Sequence, residues 1–279
     1  MNSIFYETLS SDRKNMRMGI ENMRPLTHAR INGHKITLLI DTCATRSFIN
    51  YDWLIKNQIS LSSNFQYEFV NGSYEYLYSC FVDLEIANRI FSKVNIIARK
   101  NLNWDLYEFD GCIGMDLLIG MPFTLNLIDR ELSHWGVTDI PLDSSGISHT
   151  VEFFPQIYPG VPNAKVYVSA KVSHYIKFDT GCQKSSLSKF HFPDIKIDKQ
   201  ITPIVEIDSR NRRTMKYTAE KSVIIFNGLI KQPDFKPFIT YLNEDEIIGI
   251  DAFNGFVIQY LGNYLFNIIG ARHSNETLQ

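Results

Sequence analysis

Residues 36–44 read ITLLIDTCA, and residues 176–182 read IKFDTGC. In each stretch a hydrophobic, strand-like pattern ends abruptly at an aspartate, which is Asp41 in the first and Asp179 in the second. A lone aspartate at the end of a strand is more often a turn former or a helix cap than a catalytic group. The repeated context of these two aspartates favours a shared and more specific role.

A second pair of similar segments follows these motifs. Residues 111–116 read GCIGMD, and residues 246–251 read EIIGID. The separation in sequence between Asp41 and Asp116 is nearly the same as the separation between Asp179 and Asp251. The agreement in order and spacing predicts a chain that is internally duplicated.

A turn-forming sequence lies between the two motifs of each half. Residues 67–76 surround Asn71-Gly72, and residues 205–217 surround Arg210-Asn211. Gly72 and Asn211 follow the first aspartates of their halves at nearly equal separations in sequence. Asn-Gly between alternating aromatic and polar residues is a strong signal for a β-hairpin. Both turns are therefore predicted to be hairpin tips.

The segment between the halves has a different composition. Residues 138–163 contain four prolines and a Ser-Ser-Gly run, a composition that resists strand or helix. The predicted organisation is an N-terminal extension, an N-terminal lobe, a linker, a C-terminal lobe and a tail, at residues 1–24, 25–137, 138–163, 164–270 and 271–279. Short runs of Ile, Val, Phe and Tyr elsewhere predict many short strands. Short helices are expected at Phe48–Lys56 and after Asp116.

Composition excludes several classes of function. The net charge of −2 and the pI near 6.4 predict neither nucleic-acid nor membrane binding. Residues 1–22 lack the apolar core of a signal peptide, so a cytoplasmic location is expected. The four cysteines match neither a zinc ribbon nor a Cys-x-x-Cys pair, and the seven histidines form no His-x-x-x-His or His-Glu-x-x-His pattern. No metal or cofactor is predicted.

Residues 25–270 resemble the aspartic peptidases, specifically the retropepsin-like branch, with two retropepsin-like units fused in one chain. The resemblance implies an all-β, bilobal aspartic-protease fold, with two related barrel-like lobes, short helices and an active-site cleft between them. It also implies that Asp41 and Asp179 are the catalytic pair. The threonines that follow, Thr42 and Thr180, would have buried hydroxyls that hydrogen-bond to the opposite loop.

The resemblance assigns further residues. The segments that cross behind the two loops would be Ile113-Gly114 and Ile248-Gly249. The flaps that close over substrate would include Val70, Asn71, Gly72, Ser73, Arg210 and Asn211. The residues that complete the two loops and support the carboxyl pair would be Cys43, Ala44, Gly181 and Cys182.

Two carboxyl groups within hydrogen-bonding distance share one proton, because both cannot ionise cheaply. The ionised member draws a proton from a bound water, which attacks the scissile carbonyl, while the protonated member stabilises the oxyanion. Closing flaps would hold an extended peptide by backbone hydrogen bonds. The predicted function is that of a monomeric endopeptidase that processes a limited set of peptides or proteins. The alternative is an inactive relative that binds peptide in the same cleft.

The sequence departs from the family pattern at Cys43, where glycine is expected, and this departure keeps the alternative open. Ala44 and Cys182 carry no hydroxyl, so fewer hydrogen bonds stabilise the ionised pair. A mildly acidic to near-neutral pH optimum is therefore predicted. Cys43 and Cys182 are either small core residues or a redox-sensitive or metal-binding thiol pair. Asp116 and Asp251 are assigned structural roles as helix starts or partners for nearby Arg and Lys.

Overall fold

The computed structural model describes residues 16–18, 24–68, 74–100, 108–128, 134–137, 146–154, 160–168, 172–207, 213–226, 230–242 and 246–271. This part of the chain is nearly all β-structure, with two barrel-like lobes and two short α-helices. The predicted all-β, bilobal fold is confirmed.

The elements follow one another along the chain. The first half contains β1 (Met16–Met18), β2 (Pro25–Ile31), β3 (His34–Ile40), β4 (Phe48–Asn50), α1 (Tyr51–Lys56), β5 (Ser63–Glu68), β6 (Tyr74–Ile86), β7 (Arg89–Arg99), β8 (Gly111–Ile113), α2 (Met115–Leu118), β9 (Phe123–Asn126) and β10 (His134–Trp135). The remainder contains β11 (Gly146–Glu152), β12 (Asn163–Val168), β13 (Val172–Phe178), β14 (Ser186–Ser188), β15 (Ile204–Ile207), β16 (Arg213–Thr218), β17 (Ser222–Phe226), β18 (Ile230–Phe235), β19 (Phe238–Thr240), β20 (Ile247–Ile248), a 3-10 helix (Ile250–Phe253), β21 (Phe256–Gly262) and β22 (Leu265–Ala271).

The N-terminal lobe is an eight-stranded sheet in the order β1-β2-β3-β8-β4-β7-β6-β5. An additional pairing of β2 with β6 closes six of these strands into a barrel. Asn32 and Gly33, both with positive φ, form the two-residue turn between β2 and β3. β1, which belongs to the predicted N-terminal extension, pairs antiparallel with β2.

The C-terminal lobe is a nine-stranded sheet in the order β15-β16-β19-β14-β20-β13-β12-β17-β18. Its central strands repeat the order of the first lobe, because β12, β13, β20 and β14 occupy the places of β2, β3, β8 and β4. Where the first lobe has the long strands β6 and β7, the second has two pairs of shorter strands. Pro237 separates β18 from β19, and proline cannot donate a ladder hydrogen bond.

A five-stranded sheet in the order β10-β9-β21-β22-β11 draws strands from both halves. The prediction that residues 138–163 resist strand was wrong, because β11 lies inside that segment. All seven of its residues pair antiparallel with β22, from Gly146 opposite Ala271 to Glu152 opposite Leu265. The proline-rich composition describes the ends of the segment and not its middle. The predicted domain boundaries stay a prediction.

The hydrophobic core continues through both lobes and the five-stranded sheet as one contiguous cluster of buried side chains. Phe178, at the end of β13, packs against Phe153 and Phe266, with ring centroids 5.3 and 5.5 Å away. The buried Trp135 indole donates a 2.9 Å hydrogen bond to the Thr27 hydroxyl of β2. The aromatic contacts hold the strand that leads into Asp179 against the five-stranded sheet, and the indole bond joins β10 to β2.

The helices are as short as predicted, but the first begins later. Phe48–Asn50 forms β4, and α1 starts at Tyr51, where the Asn50 side chain accepts a hydrogen bond from the Asp52 N–H. The second, α2, starts at Met115, directly before Asp116. None of the helices in the described ranges is long and apolar enough to cross a membrane.

Candidate active site

Each of the two aspartates begins a loop at the end of a strand. Asp41 follows β3, and its N–H donates to the Ile113 carbonyl at 3.1 Å. Asp179 follows β13, and its N–H donates to the Ile248 carbonyl at 2.9 Å. The strand pairs involved, β3 with β8 and β13 with β20, are parallel. Both loops are thus anchored by the segments that the sequence placed behind them.

Glycine is required directly after each crossing strand. A Cβ atom at Gly114 would lie 2.6 Å from the Ala44 carbonyl oxygen, and one at Gly249 would lie 2.7 Å from the Cys182 carbonyl oxygen. Separations below 3.0 Å are steric clashes with backbone. The missing side chains therefore let the crossing segments approach the loops closely.

The two loops are tied together by the threonines that follow the aspartates. The Thr42 hydroxyl donates to the Phe178 carbonyl at 2.8 Å and accepts from the Thr180 N–H at 3.1 Å. The Thr180 hydroxyl donates to the Ile40 carbonyl at 2.7 Å and accepts from the Thr42 N–H at 3.1 Å. Both threonines are fully buried. Four reciprocal hydrogen bonds therefore hold the ends of β3 and β13 together.

This arrangement brings the side chains of Asp41 and Asp179 into contact. Each carboxyl group influences the pKa of the other, as expected of side chains within hydrogen-bonding reach. A Cβ atom at Gly181 would lie 2.9 Å from Asp41 Cγ and 3.1 Å from Asp179 Oδ1, so both carboxyl groups crowd the same glycine. Asp179 is 9% exposed and Asp41 is half-buried. The pair is largely desolvated.

The environments of the two carboxyl groups differ. Asp41 Oδ1 accepts from the N–H groups of Cys43 and Ala44, at 2.9 and 3.0 Å. Asp179 Oδ1 accepts from the Gly181 N–H at 2.8 Å. Burial raises the pKa of both aspartates, but the two backbone donors oppose the rise at Asp41. The pKa of Asp179 is raised well above its usual value by burial and by the neighbouring Asp41 charge. Two backbone donors thus oppose the effect of burial on the pKa of Asp41, and one opposes it at Asp179.

Cys43 fits the first loop without backbone strain. Neither Cys43 nor Gly181 has a positive φ, so this position does not demand glycine for its backbone conformation. Burial, followed by the nearby Asp179 charge, raises the pKa of the Cys43 thiol well above its usual value. Cys182 is close enough to contribute to that rise, and both cysteines are free thiols. The Cys43 thiol is therefore neutral. The backbone N–H of Cys43 still donates a hydrogen bond to Asp41.

Two serines that the sequence analysis missed support the loops. Ser47 and Ser185 each lie six residues after the aspartate of their half. The Ser47 hydroxyl donates to Asp116 Oδ1 at 2.7 Å and accepts from the Gly114 N–H at 3.0 Å. The Ser185 hydroxyl donates to Asp251 Oδ1 at 2.6 Å and accepts from the N–H of Gly249 at 2.9 Å. The equal spacing was the available sequence signal.

Asp116 and Asp251 make structural contacts of the kind expected from the sequence. The second carboxylate oxygen of Asp116 lies 3.3 Å from Arg46 Nε, and that of Asp251 lies 3.6 Å from Lys184 Nζ. Both aspartates also accept from the N–H of the serine of their half, at 2.8 Å. Asp116 therefore stabilises the first aspartate loop through Ser47, and Asp251 stabilises the second through Ser185.

Residues 27–123 match a family model described as aspartyl protease. The chain is also 28% identical, over 116 residues, to the retrovirus-related Pol polyprotein from transposon gypsy of Drosophila melanogaster. That match covers 41% of this chain and 10% of the polyprotein, so the chain spans about a tenth of the length of this relative. Both matches support a retropepsin-like aspartic peptidase. The segment that matches the family model contains the first loop with Asp41 and ends before the second loop with Asp179.

The flap residues predicted from the sequence lie outside the described residues. They are Val70, Asn71, Gly72, Ser73, Arg210 and Asn211. The strands on either side of them pair antiparallel, with Glu68 opposite Tyr74 and Ile207 opposite Arg213. These pairings are those that hairpins require, and the flap assignment stays a prediction.

A depression of about 590 Å³ opens elsewhere on the N-terminal lobe. Its lining includes Arg30 and Lys35 on β2 and β3, Glu85 on β6, and Asp110. It includes none of the residues of the two aspartate loops. The depression is therefore separate from the candidate active site.

Proposed function

We propose that this chain is an aspartic endopeptidase that hydrolyses peptide bonds in an extended substrate through a water activated by Asp41 and Asp179. The observation that supports the proposal is the close approach of the Asp41 and Asp179 carboxyl groups at Gly181, in loops that the Thr42 and Thr180 bonds join. Two mutually hydrogen-bonded, desolvated carboxyl groups hold one proton between them near neutral pH more readily than isolated ones do. That state provides a general base and a general acid at the same point.

The difference between the two carboxyl groups assigns the roles. Asp41 accepts a proton from the water as its oxygen bonds to the scissile carbonyl carbon, and Asp179 gives its proton to the carbonyl oxygen. The resulting tetrahedral intermediate collapses when Asp41 passes its proton to the amide nitrogen and Asp179 recovers one from the hydroxyl. The C–N bond breaks, and the pair returns to its starting protonation. This cycle needs no covalent intermediate and no cofactor.

The second half of the chain is proposed to be a second retropepsin-like unit that arose by duplication. Its support lies in the repeated central strand order, the parallel crossings behind both loops, and the serine six residues after each aspartate. One chain would then supply both carboxyl groups and act as a monomer. The proposal also includes cytoplasmic action on a limited set of peptides or proteins. The turns at Asn71-Gly72 and Arg210-Asn211 would act as flaps.

The alternative of an inactive peptide-binding protein rested on Cys43. Both backbone hydrogen bonds to Asp41 persist beside this residue, and its backbone has no positive φ. The substitution therefore gives no physical reason for inactivity, and the peptidase remains the proposal.

The test is cleavage of a mixed peptide library by the purified protein and by the Asp41→Asn and Asp179→Asn variants. Each substitution removes one proton-transfer group, so cleavage is expected to fall at least about 1,000-fold, within the range that general acid–base catalysis contributes. Asp194→Asn, at an exposed aspartate in a turn, is the matched control and is expected to retain full activity. Peptide binding without cleavage by the parent protein would favour the alternative.

A further inference from the structure

Two histidines and a glutamate converge in the C-terminal lobe, outside the aspartate loops. His174 lies on β13, His191 follows β14, and Glu246 directly precedes β20. Their ligand-type atoms all lie within 4.8 Å of one another. Glu246 Oε2 is 2.8 Å from His191 Nδ1 and 3.5 Å from His174 Nε2. The fold thus gathers three groups from segments that are distant in sequence.

The carboxylate of this cluster is buried, whereas the imidazoles reach the surface. The Glu246 side chain is 2% exposed, and its Oε1 accepts from the Ser188 N–H at 2.9 Å. The side chains of His174 and His191 are 35% and 31% exposed. A buried carboxylate needs a positive partner to offset its lost hydration. The exposed imidazoles leave a route by which a cation from solvent can become that partner.

The two histidines of this cluster lie in direct contact with each other. Their rings stack with centroids 3.9 Å apart and planes 20° apart, so two positive charges there would repel. A neutral imidazole keeps a lone pair, which is the form that binds a metal ion.

The fold itself does not require polar groups at these positions. The pairing of β13 with β20 can be superposed on that of β3 with β8. In this superposition Glu246 is equivalent to Gly111 of the first lobe, and His174 is equivalent to Ile36. Ile36 is 3% exposed and belongs to the apolar core. The first lobe therefore forms the same sheet without a carboxylate or an imidazole. The cluster is a specific feature of the second lobe.

We propose that His174, His191 and Glu246 bind a divalent transition-metal ion, for which Zn²⁺ is the best match. Two imidazoles and one carboxylate, with a water in the fourth position, are a known tetrahedral Zn²⁺ ligand set. Zn²⁺ bonds of about 2.0–2.2 Å place tetrahedral ligand atoms about 3.3 Å apart, close to the 3.5 Å between Glu246 and His174. The two stacked rings tilt apart on binding so that each lone pair points at the ion.

The proposed ion takes no part in the aspartate chemistry. His174 lies five residues before Asp179 on β13, which corresponds to about 16 Å along the strand. A bound ion would link β13 to the segment after β14 and to the start of β20. These are the elements that hold the second aspartate loop. Binding would therefore stabilise the C-terminal lobe, and it stands independently of the proposed peptidase activity.

The test is calorimetric titration of chelator-stripped protein with a Zn²⁺ salt, beside parallel thermal unfolding with and without Zn²⁺. One equivalent is expected to bind and to raise the melting temperature. His174→Ala and His191→Ala are each expected to weaken binding about 100-fold or more and to abolish the thermal shift. The matched control is His34→Ala, at an exposed histidine on β3, which is expected to bind as the parent does.

Glu246→Gln keeps the size of the side chain and the acceptor for the Ser188 N–H, so it separates loss of the ligand charge from loss of folding. It is also expected to lose Zn²⁺ binding while it keeps the circular dichroism spectrum of the parent. Mg²⁺, which prefers oxygen ligands, is expected to give no heat of binding. The proposal is overturned if the parent binds no Zn²⁺, or if either histidine variant binds it with the affinity of the parent.

Discussion

The loop at 41–44 and the loop at 179–182 are held by the same frame but treat their carboxyl groups differently. Both are anchored by a parallel crossing strand and by reciprocal threonine bonds. The first loop gives its aspartate two backbone donors, whereas the second gives one and carries a glycine against both carboxyl groups. The shared hydrogen bonds therefore determine where the two carboxyl groups meet. The local donors then differ, since two backbone N–H groups oppose the rise in the pKa of Asp41 and one opposes it at Asp179.

The largest effect is expected when Gly181 of the second loop is replaced by alanine, which adds the Cβ atom that Cys43 already has in the first loop. A Cβ atom at Gly181 would lie 2.9 Å from Asp41 Cγ and 3.1 Å from an oxygen of each carboxyl group. Gly181→Ala must therefore displace the pair, and misplacement of reacting groups by about 1 Å costs on the order of 100-fold in rate. We expect a loss of peptide cleavage of that size, measured as kcat/KM.

The matched control is Gly120→Ala, because a Cβ at Gly120 meets nothing within 4 Å and its φ is not positive. That variant is expected to cleave as the parent does. Equal activity of Gly181→Ala and Gly120→Ala would contradict the crowding of the second loop.

The threonine bonds provide a test of the shared frame. Thr180→Val leaves the Ile40 carbonyl and the Thr42 N–H without these partners, and an unsatisfied buried group costs about 1–3 kcal/mol. The free energy of unfolding, from denaturant titration, is expected to fall by about 3 kcal/mol. Thr42→Val breaks the corresponding bonds in the first loop, so a fall of the same size is expected.

If the two threonine variants lowered the free energy of unfolding by clearly different amounts, the two loops would not share one frame. Thr150→Val, at an exposed threonine on β11, controls for the loss of a hydroxyl and is expected to change stability by less than about 0.5 kcal/mol.

The smallest effect is expected when the first loop is converted to the glycine pattern of the second. Cys43→Gly keeps the N–H that Asp41 accepts from, so cleavage at the pH optimum is expected to change less than about 3-fold. Removal of the side chain admits water to Asp179, whose pKa is raised mainly by burial, so this pKa falls. The limb of the pH–rate profile at which Asp179 loses its proton is then expected to move to lower pH. If that limb stayed at the same pH or moved to higher pH, the result would contradict this account of Asp179.

Local sequence patterns were enough to predict the features that depend on neighbouring residues. Short Ile, Val, Phe and Tyr runs predicted the strands, and the Asp-Thr motifs at 41 and 179 marked the ends of β3 and β13. The two Ile-Gly motifs carry glycine at positions where a Cβ atom would lie less than 3.0 Å from a loop carbonyl oxygen. The catalytic and flap roles of the residues named from the sequence stay predictions.

Features that depend on distant pairing were not predictable in this way. β11 forms within a proline-rich segment because β22, which lies far away in the sequence, supplies its partner. Phe48–Asn50 pairs with β7 and β8 instead of extending α1. The cluster of His174, His191 and Glu246 joins three separate segments, so no motif scan could detect it. In each case the partner residues lie in distant segments of the chain, so the local sequence does not reveal them.

The most direct test of the central claim is the titration of the Asp41 and Asp179 carboxyl carbons by ¹³C nuclear magnetic resonance. We predict two linked steps, both above the usual pKa of 3.8, with Asp179 losing its proton at the higher pH. Asp41→Asn removes the neighbouring charge, so the pKa of Asp179 should then fall. Two independent titrations near 3.8, unaffected by substitution of the other aspartate, would contradict a pair that shares one proton.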